Sequence, residues 1–299
     1  MTEWMAPVQH LDRLSKELGV DLHAVRDDLL PFPLPGNKVR KIEAELKALT
    51  ARPDLIVTTG AVSSNHCRTT AFLCAERGLG VHLVLHGDPG ARSPALRMLR
   101  DLGAGYTVVA PHDVAGAIAD VTHETATAGR SVHTIAGGCH TPAGALSYRA
   151  AAECVLRAHV PAWVVVASGT GATQGGIAAA AAGLRPATTV VGVSVARTRA
   201  RGLEPVRQAA TWAGAPTDIV VDFRDDFIDG GYGLHGARTD EAVSRGWRSG
   251  LPLDPTYTGK AFAGLLDMVD VGEIRRGEKV LFWHTGGLAQ YLFEPGLGQ

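Results

Sequence analysis

The chain has 299 residues, 45% hydrophobic and 20% charged, a globular composition for one large or two ordinary domains that excludes a disordered chain. Its 29 basic and 30 acidic side chains leave a net charge of −1, which excludes a strongly basic nucleic-acid binder or a binder of anionic membrane surfaces. Glycine is abundant at 36 residues and aromatics are scarce at 6%, so many tight turns and close backbone approaches are expected.

The opening MTEWMAPVQHLDRL carries an acid early and no apolar core, so it does not read as a signal peptide. No uncharged apolar run reaches the ~18 residues of a membrane-spanning helix. Cys67, Cys74, Cys139 and Cys154 make no Cys-x-x-Cys pair and read as reduced structural thiols of a cytoplasmic protein. From there the pattern alternates. A helix over 39–49 precedes a strand over 54–60, then a helix over 64–77 and a strand over 81–87. A helix over 94–102, a strand over 106–111, a helix over 114–128 and a strand over 131–138 follow. After a helix over 143–158 come a strand over 162–169, a helix over 173–184 and a strand over 189–195. The chain closes with a helix over 203–213, a strand over 219–223, helices over 240–248 and 260–269, and a strand over 279–286. Short β-branched runs, apolar on both faces and alternating with helices, predict an α/β fold of doubly wound parallel sheets. A break in the strand series near residue 160 points to two such sheets.

Glycine clusters recur where strands end, which is where open α/β sheets bind ligands. The segment Ser168-Gly169-Thr170-Gly171-Ala172-Thr173-Gln174-Gly175-Gly176 joins a strand to an alanine-rich helix. Its free N–H groups and helix dipole favour an anion, and Thr170 and Thr173 add hydroxyls. It lacks a P-loop lysine and the Gly-x-Gly-x-x-Gly spacing, so it suits a singly phosphorylated small molecule. A strand-to-helix turn that binds nothing is the plainer alternative.

In Gly36-Asn37-Lys38-Val39-Arg40-Lys41, Lys38 falls in the first turn of a helix, where the dipole lowers its pKa and favours a neutral nucleophile. Taken locally, a solvated basic helix start is the commoner arrangement. In Ser63-Ser64-Asn65-His66, one serine is placed to cap a helix, with Ser64 and Asn65 able to hydrogen-bond a ligand. His66 by itself fits a structural role better than that of a base. Tyr257 lies in a Pro/Gly-flanked turn and Thr285 at a strand end. The twelve histidines show no metal-binding spacing, and no metal is expected.

Together these segments resemble the aminocyclopropane-carboxylate deaminase/D-cysteine desulfhydrase group of fold-type II pyridoxal-phosphate enzymes. The resemblance runs through RDD (26–28), GNKVRK (36–41), SSNHCR (63–68) and GGCHTPAGALSY (137–148). It continues through ASGTGATQGG (167–176), GGYG (230–233), DPTYTGKAFAGL (254–265) and LFWHTGG (281–287), in the order of the group. It implies a tryptophan synthase β-like fold with pyridoxal 5′-phosphate in a cleft between two domains. Residues 1–47 plus 155–299 would form the large domain and 48–154 the small one.

The resemblance also implies roles. Lys38 matches the Schiff-base lysine, which becomes a base at the substrate α-carbon once displaced by the substrate amine. Gly169, Thr170, Gly171, Ala172 and Thr173 match the phosphate cradle. Asn65 matches the partner of the phenolic oxygen, and Thr285 the residue opposite the pyridine nitrogen. Ser64, Asn65, His66 and Tyr257 would face a small amino-acid substrate, with Lys38, Ser64, Tyr232 and Tyr257 catalytic. A homodimer is implied as well. Thr258 and Thr285 stand where ring-opening deaminases carry glutamate and leucine, which is the desulfhydrase-like pattern. A hydroxyl near the pyridine nitrogen gives a weaker electron sink and suits a substrate with a good leaving group on Cβ. The expected reaction is therefore α,β-elimination, giving a 2-oxo acid and ammonia. The alternatives are ring opening, racemisation or β-replacement on the same cofactor, and a non-catalytic pyridoxal-phosphate or phosphate-binding protein. The chain departs from the group at Val25, Pro35 and the CHTPAG stretch, and it is shorter than most of the group toward the N-terminus and near 215–235, segments that in the group border the substrate pocket and so bear on substrate more than on cofactor.

Overall fold

Apolar runs with no polar face need cover on both sides, and here they form the interior strands of two sheets. The computed structural model describes residues 5–88 and 93–293. The strands are β1 (Val8–His10), β2 (Asp21–Arg26), β3 (Leu55–Ala61), β4 (Gly80–His86) and β5 (Gly105–Val109). Then come β6 (Val132–Thr134), β7 (Trp163–Ser168), β8 (Thr189–Ser194), β9 (Asp222–Arg224) and β10 (Lys279–His284). The helices begin with α1 (Asp12–Leu18), α2 (Asn37–Lys47), α3 (Asn65–Glu76), α4 (Pro94–Asp101), α5 (Val114–Thr127) and α6 (Pro142–His159). They end with α7 (Ala172–Ala181), α8 (Arg199–Trp212), α9 (Ala237–Arg248), α10 (Thr258–Asp270) and α11 (Leu288–Phe293).

One sheet has the order β1-β2-β10-β7-β8-β9 and the other β5-β4-β3-β6. The chain is thus α/β with two parallel sheets, as expected, apart from the antiparallel β1–β2 pair at one edge. β1, α1 and β2 were not anticipated. β2 (DLHAVR) alternates with two polar residues at its start, and its partner β10 lies at the other end of the chain. β9 starts at Asp222 and not at 219, because Val220 of the apolar run is 91% exposed.

The core groupings also move the expected domain limits. Ile42 and Leu46 of α2 pack with Ile56, Leu83 and Leu85 of the four-stranded sheet. Tyr148, Ala152 and Leu156 of α6 pack with Val164, Val166, Leu281 and Trp283 of the six-stranded sheet. The limits at 47/48 and 154/155 therefore part helices from the cores they fill. By packing, α2 goes with the smaller unit and α6 with the larger.

A buried hub joins the two units. The Asp27 carboxylate is fully buried and accepts from Arg40 Nη2 (2.9 Å), Tyr148 Oη (2.6 Å) and Trp283 Nε1 (2.8 Å). It thereby ties α2 to α6 and β10. Around α7 the packing is close enough to require glycine. A Cβ on Gly175 would lie 2.6 Å from Ala209 Cβ, and one on Gly176 would overlap Ala145 O. The Gly-Gly pair lets α6 and α8 approach α7 from two sides.

Candidate active site

The carboxyl ends of both sheets open into one cleft of about 620 Å³. Lys38, Ser64, Asn65, His66, Tyr232, Tyr257 and Thr285 all line it, as do Gly169, Thr170, Gly171 and Thr173. Ala172 does not; its methyl is fully buried, so only its backbone N–H can serve a ligand in the cleft.

Lys38 is placed by a close backbone approach. Gly36 and Gly286 bridge, and a Cβ on Gly36 would lie 2.7 Å from Thr285 O. Asn37 N donates to Thr285 O at 2.9 Å, and Asn37 Nδ2 donates to Thr173 Oγ1 at 3.1 Å. The start of α2 is thus fastened to β10 and to the glycine-rich loop, with Lys38 between them. Lys38 Nζ donates to Asn37 Oδ1 at 2.9 Å and sits 6.0 Å from the Tyr257 ring centre. Burial, reinforced by Lys41, holds its pKa well below the usual lysine value. A neutral amine facing a cleft is the state a nucleophile needs.

Three helix N-termini meet here. α7 starts after Gly171, whose φ of 101° favours glycine. α3 starts at the Ser64 cap, where Ser64 Oγ accepts from Cys67 N at 3.3 Å. α2 starts after Gly36. The first N–H groups of each helix have no acceptor within it and carry the positive end of the dipole. The cleft is lined by Lys38, Lys41 and Arg197, and by no aspartate or glutamate among the described residues. This is a site for a ligand with separate anionic groups. Ser168 Oγ and Thr59 Oγ1, also in the lining, are buried without a partner.

His66 is corrected by the structure. Its Nε2 lies 2.7 Å from Thr58 Oγ1, which itself donates to Ile135 O, so Nε2 carries the proton. Burial, with Lys38 and Lys41 nearby, holds its pKa well below the usual histidine value. The ring is neutral, its one N–H is spent on Thr58 and its other nitrogen is buried without a partner, so the ring offers no donor to a substrate carboxylate. The backbone N–H of His66, in the first turn of α3, remains able to bind one.

Tyr232 and Tyr257 meet edge to face with their hydroxyls 2.5 Å apart. Each is held from behind by a residue the sequence reading missed. Asp254, buried, accepts from Thr256 N (3.0 Å), Tyr257 N (2.8 Å) and Thr258 Oγ1 (2.7 Å), capping the turn that presents Tyr257. Thr258 therefore spends its hydroxyl on this cap and does not reach the cleft. Lys260, fully buried, donates to Val195 O (2.9 Å), Ile228 O (2.8 Å) and Gly231 O (3.0 Å). Two of these acceptors lie in the loop that ends at Tyr232 and the third follows β8, so the ammonium ties that loop to the sheet. Lys41 was also missed. It lines the cleft, donates to Gly138 O at 2.7 Å, and burial lowers its pKa to about 8. The i, i+3 spacing from Lys38 was a usable signal, since it puts both on one helix face. For Lys260 no local signal exists.

A phosphate-sized anion loop at a helix N-terminus, a lysine of lowered pKa opposite, and a lining with cations and no carboxylate fit pyridoxal phosphate. The class follows: a family model of pyridoxal-phosphate-dependent enzymes matches residues 1–286, and the chain belongs to that family. Within it, the relatives narrow the group. The chain is 33% identical to a putative 1-aminocyclopropane-1-carboxylate deaminase of Pyrococcus horikoshii, covering 96% of this chain and 90% of that one. It is equally 33% identical to the D-cysteine desulfhydrase of Yersinia enterocolitica, covering 97% and 93%. The crystal structure of an aminocyclopropane-carboxylate deaminase homologue superposes with a TM-score of 0.85 at 31% identity, over 96% of this chain and 90% of that one. A threonine deaminase of Solanum lycopersicum shares the fold, with a TM-score of 0.72 at 14% identity. The protein is a pyridoxal-phosphate-dependent lyase of the aminocyclopropane-carboxylate deaminase/D-cysteine desulfhydrase group. Among the described residues, no helix is long and apolar enough to cross a membrane.

Proposed function

We propose that this enzyme catalyses α,β-elimination on a small amino acid bearing a leaving group on Cβ. D-cysteine, L-cysteate and related sulfur amino acids are the class, with a 2-oxo acid and ammonia as products. The observation that carries this is the lining: Thr285 offers a hydroxyl at the β10 end of a cleft that has no carboxylate. When bound, pyridoxal phosphate supplies the conjugated ring that stores the electron pair of a broken bond, and without a carboxylate partner its ring nitrogen stays largely unprotonated. A weaker sink favours reactions in which the leaving group carries that pair away.

The residues divide the task. The 169–173 loop holds the phosphate on the α7 N-terminus, and Asn65 and Thr285 orient the ring. Ser64 and the first amides of α3 hold the substrate carboxylate. Lys38 Nζ, its pKa lowered chiefly by burial, takes the proton from Cα. The Cβ–S bond breaks with its electron pair on sulfur, and the Tyr232–Tyr257 pair supplies the proton that the departing thiolate takes up. The released enamine adds water to give the 2-oxo acid and ammonia. The group resemblance also implies a homodimer, which light scattering on purified protein tests, and the cysteines without Cys-x-x-Cys spacing fit a cytoplasmic location.

Borohydride reduction followed by peptide mass spectrometry tests the site: a pyridoxyl adduct on Lys38 is expected. Assay of 2-oxo acid release from D-cysteine, L-cysteate and β-chloroalanine tests the reaction. An adduct on Lys38 with none of the three turned over would retain the cofactor site and reject the elimination.

A further inference from the structure

Far from the cleft residues, the outer edge of the six-stranded sheet gathers metal-ligating side chains that no sequence spacing announced. β1 and β2 pair antiparallel with His10 directly opposite His23. Asp21 precedes His23 by two residues, so all three share the half-exposed face of the pair. His23 Nε2 lies 2.8 Å from Asp21 Oδ1, and His10 Nε2 lies 3.3 Å from the same oxygen. The two rings are 4.7 Å apart, and all three donor atoms fall within 4.8 Å of one another. Tetrahedral zinc, with bonds of about 2.0–2.1 Å, spaces its ligand atoms about 3.3 Å apart. The observed separations bracket that value.

Two further contacts belong to such a site. Asp12 lies 3.1 Å from Nδ1 of His10. A carboxylate on the far nitrogen fixes the tautomer that turns the Nε2 lone pair outward, the usual support for a metal-bound histidine. Ser15 Oγ, 3.3 Å from His10 Nε2, accepts from Leu22 N and so braces α1 against β2 behind the pair. His10 and Asp21 are 42% and 39% exposed, which leaves an entry path, whereas His23 is 16% exposed and held by the fold. Lys279 Nζ, 3.7 Å from Asp21 Oδ2, opposes a cation there, and the His159 ring stands 5.9 Å from that of His23.

We propose that this edge binds a divalent transition-metal ion of the zinc class through His10 Nε2, His23 Nε2 and a carboxylate oxygen of Asp21, with water completing the tetrahedron. On binding, the proton on His23 Nε2 that faces Asp21 moves by way of solvent to Nδ1, which leaves the Nε2 lone pair for the ion. The ion would staple β1 to β2. None of these side chains reaches the cleft, so the proposal stands or falls apart from the elimination chemistry.

The test is titration of tag-free, chelator-washed holoenzyme with zinc chloride, by calorimetry and metal analysis. One equivalent is expected to bind to the natural chain and none to the His10→Ala/His23→Ala protein, with enzyme activity equal in both. Asp12→Asn should weaken binding about ten-fold through loss of the outer carboxylate. Lys279→Ala should tighten it by removing the opposing charge. No uptake by the natural chain, or an equivalent retained by the double variant, overturns the site. Unchanged or weaker binding in Lys279→Ala removes Asp21 from the ligand set and overturns it as proposed.

Discussion

The two sheets meet at one cleft but are covered very differently. In the six-stranded unit the interior strands β7 and β10 are almost wholly buried, and every residue of α7 is buried. In the four-stranded unit β5 is half exposed, and Thr125 is the single buried residue of the fourteen-residue α5. Local opening is easiest where few apolar contacts oppose it. The phosphate loop, Thr285 and the tyrosine pair rise from the densely packed unit. Ser64, Asn65 and the amides of α3 rise from the thinly covered one. The cleft thus draws its lining from both units, one densely and one thinly covered. α2, which carries Lys38, packs on the four-stranded unit and is bonded to the six-stranded one through Asp27 and Thr285.

The largest expected effect falls on that junction. Lys38→Ala should abolish turnover while the fold stays intact, read by product assay and circular dichroism; residual turnover would remove Lys38 from its role. Asp27→Ala should break the tie between the units. It leaves the buried Arg40 guanidinium without its carboxylate, at a cost of about 3–5 kcal/mol in denaturant unfolding. A loss below about 1 kcal/mol would mean the two units are held by packing alone.

Within the six-stranded unit, Tyr257→Phe should retain cofactor and lower kcat about 100-fold. Unchanged kinetics would reduce the pair to packing. Lys260→Met should free the 228–231 loop and lower kcat/KM about ten-fold, since a misplaced group loses catalytic effect. In a Tyr232→Phe background the same change should have little further effect, because Lys260 acts through Tyr232. Full additivity would assign Lys260 to stability only.

The smallest effect concerns Lys41. Its pKa in the folded apoprotein, about 8, lies below the ordinary 10.5. Between those values the unfolded chain holds a proton that the folded chain lacks, so Lys41 makes stability rise with pH across that window. Below about pH 8 it is charged in both states and its burial cost is felt in full. Lys41→Met should flatten this rise in apoprotein unfolding measured from pH 7 to 10.

Much of the architecture was legible because its causes are local. β3, β4, β7 and β10 are apolar runs closed by glycine, β8 is an apolar β-branched run, and α3, α6 and α7 start at caps or glycine turns. The ordered motifs then named the cofactor and placed Lys38, Ser64, Asn65, Tyr257 and Thr285, which do line one cleft. Their roles there are for the experiments above to decide.

What was not legible depends on partners distant in the chain. β1 and β2 are short and polar on one face, and they become strands only because β10, at the far end of the sequence, offers an edge. The helices α2 and α6 were assigned to the wrong cores because an amphipathic stripe says that a helix packs, and not against which sheet. His66 looked like a ligand residue from its motif, yet its ring is turned onto Thr58, a contact set by β3 and α3 together. Lys260 is an ordinary lysine in sequence and a three-way tether in space. His10 and His23 face each other only once two strands pair. Composition and periodicity determine which segments can bury themselves; the tertiary structure decides which charges and lone pairs meet, because those meetings depend on neighbours far along the chain.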